Sequence, residues 1–237
     1  MNQNKIYGVS LGPGDPGLLT VKGLQVLQQV DKIYYPASLL ADGSIKSYSL
    51  SILQYHNLDE NKLQPVLLSM SSNRSYNLEA YASAFEQMKA DFTNGLSVAF
   101  VCEGDISFYS SFVHLLKHIT AAQLPVEIIA GVPSFLLATA VFQQPLATLQ
   151  EKIAIIPLAN SREMLENYLA SFHTIVLIKV RNALAYIHPL ITEGRAKLLY
   201  AESLGTAEQF TSTDIQELHT RRLPYFSLII LKSNICA

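Results

Sequence analysis

Residues 96–105 read "LSVAFVCEGD", a run that stays apolar from Val98 to Cys102 and then turns abruptly to Glu103, Gly104 and Asp105. A half-solvated strand would alternate polar and apolar side chains. This one does not, and its β-branched content suits a strand covered on both faces, as in a parallel sheet. Similar strand-like runs at Ile6–Leu11, Lys32–Tyr35, Pro65–Met70 and in "LPVEIIAGV" are separated by helix-like stretches at Leu18–Val30, Leu78–Asn94 and Ser107–Ile119, with a short helix near Ser47–Tyr55. Within Leu78–Asn94, Tyr81, Phe85 and Met88 share one helical face. Alternation of this kind predicts an α/β fold with right-handed crossovers. The second half continues with helix Pro133–Phe142, strand Lys152–Ile156, helix Arg162–Ala170, strand Thr174–Lys179, helix Asn182–Ile191, strand Lys197–Glu202 and a final strand in "YFSLIILK". A junction is expected near Gln123, giving α/β domains over 1–122 and 123–237. At 237 residues and 49% apolar content, the chain has enough material for such cores.

The first strand runs into "GPGDPG", in which Gly12, Gly14 and Gly17 satisfy the G-x-G-x-x-G spacing of dinucleotide-binding loops. A pyrophosphate at that place needs free backbone N–H groups and no competing negative charge. Pro13 and Pro16 each remove an N–H. Asp15 puts a carboxylate where the phosphates would lie, and the acidic residue expected about 20 positions further on is replaced by Tyr34, Tyr35 and Pro36. No Gly-Lys-Ser/Thr follows, which excludes a Walker loop. What is left is a stiff turn presenting Asp15 at the carboxyl end of a strand. Its carboxylate can cap a helix starting at Leu18 and still face a cleft.

Three more strand ends carry small, polar or glycine-containing turns: "CEGDISFYS", "IAGVPSFLLA" and "AESLGTAEQF". In open α/β sheets, ligands bind outside the carboxyl ends of the strands. Taken together with "GVSLGPGDPGLLTVKG", these turns make the chain resemble the tetrapyrrole methylase family, whose members move methyl groups from S-adenosylmethionine to corrinoid and sirohaem precursors. The resemblance runs over essentially the full length. It is most specific at Gly12, Pro13, Gly14, Asp15 and Pro16, followed by Leu18, Leu19, Thr20 and Lys22. Gly104 and Asp105 with Phe108, Tyr109 and Ser110 are similar to a second family motif, with Ile106 where proline is usual. Gly131, Val132, Pro133 and Ser134 are similar to a third, with Ala130 in place of a proline.

The resemblance implies two α/β domains with an active-site cleft between them, a homodimer, and S-adenosylmethionine as methyl donor. Its cofactor residues fall on Glu103, Gly104, Asp105, Phe108, Pro133, Ser134, Lys179 and Gly205, several of them through backbone atoms. That suits a ligand without phosphates, which needs apolar walls and a few polar groups. Asp105 and Ser134 have a second reading as caps of the helices that follow them. Methyl transfer to a ring carbon requires nearly in-line alignment, exclusion of water and departure of a proton. Asp15 is the catalytic candidate, as base or as binder of pyrrole N–H groups. Lys46, Arg74, Lys179 and Arg181 are candidates for the peripheral carboxylates of a tetrapyrrole. Within the family, "KIYYPAS", "LLSMSS", "YSSF", "VLIKV" and "YFSLIIL" most resemble members that methylate C20 of precorrin-2 or its cobalt form. The alternatives are a member acting at another ring carbon and a non-catalytic tetrapyrrole-binding protein.

With 15% charged residues and a formal net charge of −2, the chain has no global attraction for nucleic acid or an anionic membrane. No apolar run approaches the about 20 residues of a membrane span, and "MNQNKIYGVSLGPGD" lacks a signal-like apolar segment; a cytoplasmic protein is expected. Cys102 and Cys236 form no disulfide framework and sit in no metal-ligand spacing. His114 and His118 in "HLLKH" have the spacing of a metal pair without a third ligand nearby, so a partly exposed helix face is expected there and no bound metal. The apolar stretches "FLLATAVF" and "YFSLIILK" exceed what the few charges readily cover, in keeping with a homodimer.

Overall fold

The structure is a computed structural model that describes residues 5–39, 43–68, 74–178, 180 and 183–236. Its contacts divide the chain into two units, Met1–Pro133 and Ser134–Ala237.

In the first unit the elements follow in the order β1 (Ile6–Ser10), α1 (Val21–Gln29), β2 (Lys32–Leu39), β3 (Ile45–Lys46), α2 (Tyr48–Tyr55), β4 (Leu63–Leu68), α3 (Arg74–Thr93), β5 (Val98–Cys102), α4 (Phe112–Ala121) and β6 (Val126–Ile129). Strands β4, β2, β5, β1 and β6 lie side by side and pair in parallel. Short β3 pairs antiparallel with the end of β2, Ser38 opposite Lys46. Strand β5 shows why its sequence lacks alternation. Val98 and Phe100 pack with Tyr81, Phe85 and Met88 of α3 and with Phe112, Leu115 and Ile119 of α4. Ala99 and Val101 face the other way, into Leu27 of α1 and Ile52 and Leu53 of α2. Both faces of the central strand are therefore dry, and side-chain burial on each stabilises the sheet by about 25 cal/mol per Å² of apolar surface covered.

The domain junction expected near Gln123 falls later. Strand β6 pairs with β1 from Ile6 opposite Val126 to Val9 opposite Ile129, so the chain cannot leave the first unit before that strand is complete. The helix expected from Leu18 also divides. Asp15 caps a single 3-10 turn, Pro16–Leu18, and Thr20 caps α1 by accepting from the Gly23 amide.

The second unit contains α5 (Ser134–Val141), β7 (Ile153–Ile156), α6 (Arg162–Ser171), β8 (Thr174–Leu177), α7 (Leu184–Thr192), β9 (Ala196–Glu202), β10 (Phe210–Ser212) and β11 (Ser227–Ser233). Its sheet has the order β10–β9–β11–β8–β7, antiparallel except for the β7–β8 pair. Leu165 and Leu169 of α6 and Ile187 and Leu190 of α7 close over Ile175, Leu177, Leu198, Tyr200, Ile229 and Leu231 of the sheet. Among the described residues, no helix is long and apolar enough to cross a membrane.

Candidate functional site

Because β1, β5 and β6 are parallel neighbours, their carboxyl ends emerge on the same edge of the first sheet, and the three turns that leave them are bonded to one another. The Leu11 amide donates to the Cys102 carbonyl at 2.9 Å. Gly12 and Gly104 then exchange both backbone bonds, at 3.2 and 2.6 Å, as an isolated antiparallel bridge. Both glycines have positive φ, +81° and +71°, a region that costs a residue with a Cβ roughly 1–2 kcal/mol. Ser10, fully buried at the end of β1, donates its hydroxyl to the Ile129 carbonyl and accepts from the Ile106 amide, each at 2.8 Å. One side chain thus ties all three strand ends together.

Asp105 completes the tie. One carboxylate oxygen accepts from the Gly131 amide at 2.7 Å; the other accepts from the Ser107 amide at 2.9 Å and from the Ser107 hydroxyl. Burial works against its charged form, yet these bonds prevail and hold the carboxyl below the ordinary aspartate range. The helix expected from Ser107 starts only at Phe112, so Asp105 fastens two turns together instead of capping a helix. In the intervening loop the Phe108 amide donates to the Asp105 carbonyl at 3.1 Å, and the Phe108 ring meets Tyr109 edge to face at 4.8 Å. Tyr109 has φ +49° while its ring stays half exposed; such strain persists only where the surroundings impose it.

Glu103 points elsewhere. It accepts from the Ser49 hydroxyl of α2 at 2.6 Å, and burial pushes its carboxyl above the usual glutamate range. Its side chain is used inside the unit. The neighbouring Cys102 thiol, accepting from Ser110 at 3.1 Å, is pushed by burial up to about 12 and is not a nucleophile at neutral pH.

The Asp15 turn sits beyond the Gly12–Gly104 bridge. Asp15 accepts from the Gly17 amide at 2.8 Å, and the residue remains partly exposed. From a different element, His56 at the end of α2 places Nε2 at 3.0 Å from the Pro16 carbonyl. Neither Ser49 nor His56 carries a signal in the sequence, because their partners lie 54 and 40 residues away.

Of the residues singled out from sequence, Asp15, Glu103, Gly104, Asp105, Phe108 and Pro133 belong to the first unit. Ser134 opens α5 in the second unit. Gly205 follows β9 there with φ +74°, its amide donating to Gln209 Oε1 at 2.9 Å. Nearby, Glu202 accepts from the Tyr200 hydroxyl and pairs with Arg221, whose guanidinium lies 3.7 Å over the Phe210 ring. Lys179 and Arg181, and the side chain of Arg74, lie outside the described residues. Lys46 lies 5.8 Å over the Tyr48 ring. His118 stacks on Phe85 at 5.3 Å and His114 lies 5.9 Å from Tyr81, so both rings of that pair are engaged with α3.

Comparison with known proteins places these turns in context. The family description Tetrapyrrole (Corrin/Porphyrin) Methylases matches residues 5–219. The chain is 27% identical over 230 residues to a cobalt-precorrin-2 C(20)-methyltransferase of Salmonella typhimurium, covering 96% of this chain and 95% of that protein. It is 28% identical over 233 residues to a precorrin-2 C(20)-methyltransferase of Sinorhizobium sp, covering 96% and 94%. Among solved structures, uroporphyrin-III C-methyltransferase of Thermus thermophilus in complex with S-adenosylhomocysteine superposes with a TM-score of 0.65 at 20% identity, covering 96% of this chain and 97% of that one.

Proposed function

Because the chain belongs to the tetrapyrrole (corrin/porphyrin) methylases, we propose that it transfers a methyl group from S-adenosylmethionine to C20 of precorrin-2 or its cobalt form. The position on the ring rests on the two relatives named for that carbon, each matched over nearly its whole length. The observation that carries the cofactor reading is the bonded set of strand-end turns in the first unit. At Gly104 the space where a side chain would stand is open, which suits close approach of an uncharged adenine to that turn. Asp105 can accept about four hydrogen bonds as a carboxylate and receives three from Gly131 and Ser107. One acceptor position on the Gly131 side is left for a hydroxyl, as on a ribose. Phe108 adds an apolar wall. Family resemblance extends the set to Pro133, Ser134, Lys179 and Gly205.

In the reaction a C–C bond forms at the ring carbon, the sulfonium C–S bond breaks, and the ring carbon gives up its proton. Asp15 is a partly exposed carboxylate, one oxygen of which caps onto Gly17, on a turn stiffened by two prolines, able to take that proton or to bind pyrrole N–H groups. Asp15→Asn keeps a good cap and should leave melting temperature and S-adenosylhomocysteine affinity unchanged. Single-turnover methyl transfer should fall about 10²- to 10⁴-fold if Asp15 is the base. Unchanged turnover would assign Asp15 to capping alone. Locating the new methyl by NMR tests the C20 assignment directly. The assembly that fits this reading is a cytoplasmic homodimer, and a monomer mass in sedimentation at working concentration would contradict it.

A further inference from the structure

Helix α2 touches both ends of the candidate site within the first unit. At its start, fully buried Ser49 donates to Glu103, next to Gly104. At its end, His56 bonds the carbonyl of Pro16, the residue after Asp15. Between them Ile52 and Leu53 are locked in the core, 2% and 1% exposed. The helix therefore cannot shift without moving core side chains, and its two ends are fixed reference points for two turns distant in sequence.

The Asp15 turn needs such a reference. Its own bonds are local: Leu18 and Leu19 amides return to the Asp15 and Pro16 carbonyls, and Gly17 caps onto Asp15. Pro13 and Pro16 have no N–H with which to hold the turn against anything else. A carbonyl only accepts, so His56 Nε2 carries the proton in this contact. We propose that His56 is a positioning residue for the methyl-transfer reaction, fixing through Pro16 the direction in which Asp15 faces the tetrapyrrole, with α2 holding that turn in register with the Glu103–Asp105 turn. The proposal rests on the reading of Asp15 given above.

The experiment measures single-turnover methyl transfer, S-adenosylhomocysteine affinity and melting temperature in His56→Ala, His56→Gln, Asp15→Asn and the double variant His56→Ala with Asp15→Asn. His56→Ala should slow transfer by about 10-fold, the scale of a small misplacement of a reacting group, with cofactor affinity and melting held. His56→Gln, whose amide N–H can reach the same carbonyl, should recover most of the rate. In the Asp15→Asn background, His56→Ala should cost less than about 2-fold more, since residues acting as one unit are not additive. An equal loss in both backgrounds, or a loss that Gln does not recover and that tracks a lower melting temperature, would make His56 merely structural and overturn the proposal. Impaired Asp15→Asn with full-rate His56→Ala would overturn the positioning role alone. Full turnover in Asp15→Asn would overturn the reading of Asp15, and the proposal with it.

Discussion

At Gly131 a methyl group built on the backbone would come within 2.4 Å of Ser10 Cβ and 2.9 Å of the Gly104 carbonyl oxygen. Neither neighbour is the tip of a flexible side chain, so the strand ends themselves would have to part. At Gly104 nothing lies within 4 Å of such a methyl, and only the positive φ resists it. Gly131→Ala should therefore cost about 2–3 kcal/mol, as overpacking does, and Gly104→Ala about 1–2 kcal/mol; urea unfolding of the two variants checks the order. Glu103 and Asp105, two residues apart, set opposite pH dependences. The folded state binds a proton to Glu103 more tightly than the unfolded chain, so this residue makes stability fall as pH rises above the ordinary glutamate value of 4.5. Asp105 is held low, so its contribution is present above the ordinary 3.8 and is lost as pH falls through its folded value. Glu103→Gln should flatten the decline on the neutral side, and Asp105→Asn should flatten the loss on the acid side, in urea midpoints taken from pH 3 to 8. The reverse assignment of the two slopes would contradict these environments.

Among the elements, the arrangement at β9–β10 makes a separate prediction. Glu202 is buried at the end of β9 and the Arg221 side chain is 38% exposed, stacked on Phe210 of β10. Burial, with the bond to Glu202, also drives the Tyr200 hydroxyl well above its ordinary range, so this tyrosine acts as a neutral donor. Among the described residues, Arg221→Ala would leave Glu202 with the Tyr200 hydroxyl as its side-chain partner, which should cost about 1–3 kcal/mol. Adding Glu202→Gln should return part of that loss in a double-mutant cycle. The ion pair was not visible in the sequence, because Arg221 lies 19 residues from Glu202 and each looks like an ordinary surface residue. Strands β1, β5 and β11 were visible, since apolar runs of β-branched residues have few other uses. So was the α3 face carrying Tyr81, Phe85 and Met88. Helix starts were less so: Asp15 and Thr20 are both good caps, and "DPGLLTV" permits a helix from either until packing chooses Thr20. Short β3 and β10 exist only through pairing with a neighbour already in place, which no local pattern records. At the candidate site, the Asp15, Gly104 and Asp105 turns could be read from their glycines, but the role of Asp105 could not. Its partner Gly131 lies 26 residues away, and the chain in between looked like an ordinary helix with an ordinary cap.

For the whole molecule, two units with their own cores imply that unfolding is not all-or-none. Calorimetry should give a van't Hoff enthalpy below the calorimetric one. If the strand-end turns of the first unit hold the cofactor, S-adenosylhomocysteine at about 100 times its dissociation constant should stabilise the state that binds it by about 2.7 kcal/mol; equal enthalpies, or no shift on saturation, would contradict these expectations. The bonded turns also dictate an order of assembly. Their groups come from positions 10–12, 104–106 and 129–131, so a stretch that contains them all must run from Ser10 to Gly131, nearly the whole first unit. Bringing such distant segments together costs loop entropy that is repaid only when the last one arrives. A nascent chain stopped short of Ile129 would have Asp105 without one of its donors and Ser10 without its acceptor. During synthesis the three turns of the first unit are thus joined only when β6 has left the ribosome and docked, and a cofactor that relies on them, as proposed above, finds nothing to stabilise before then.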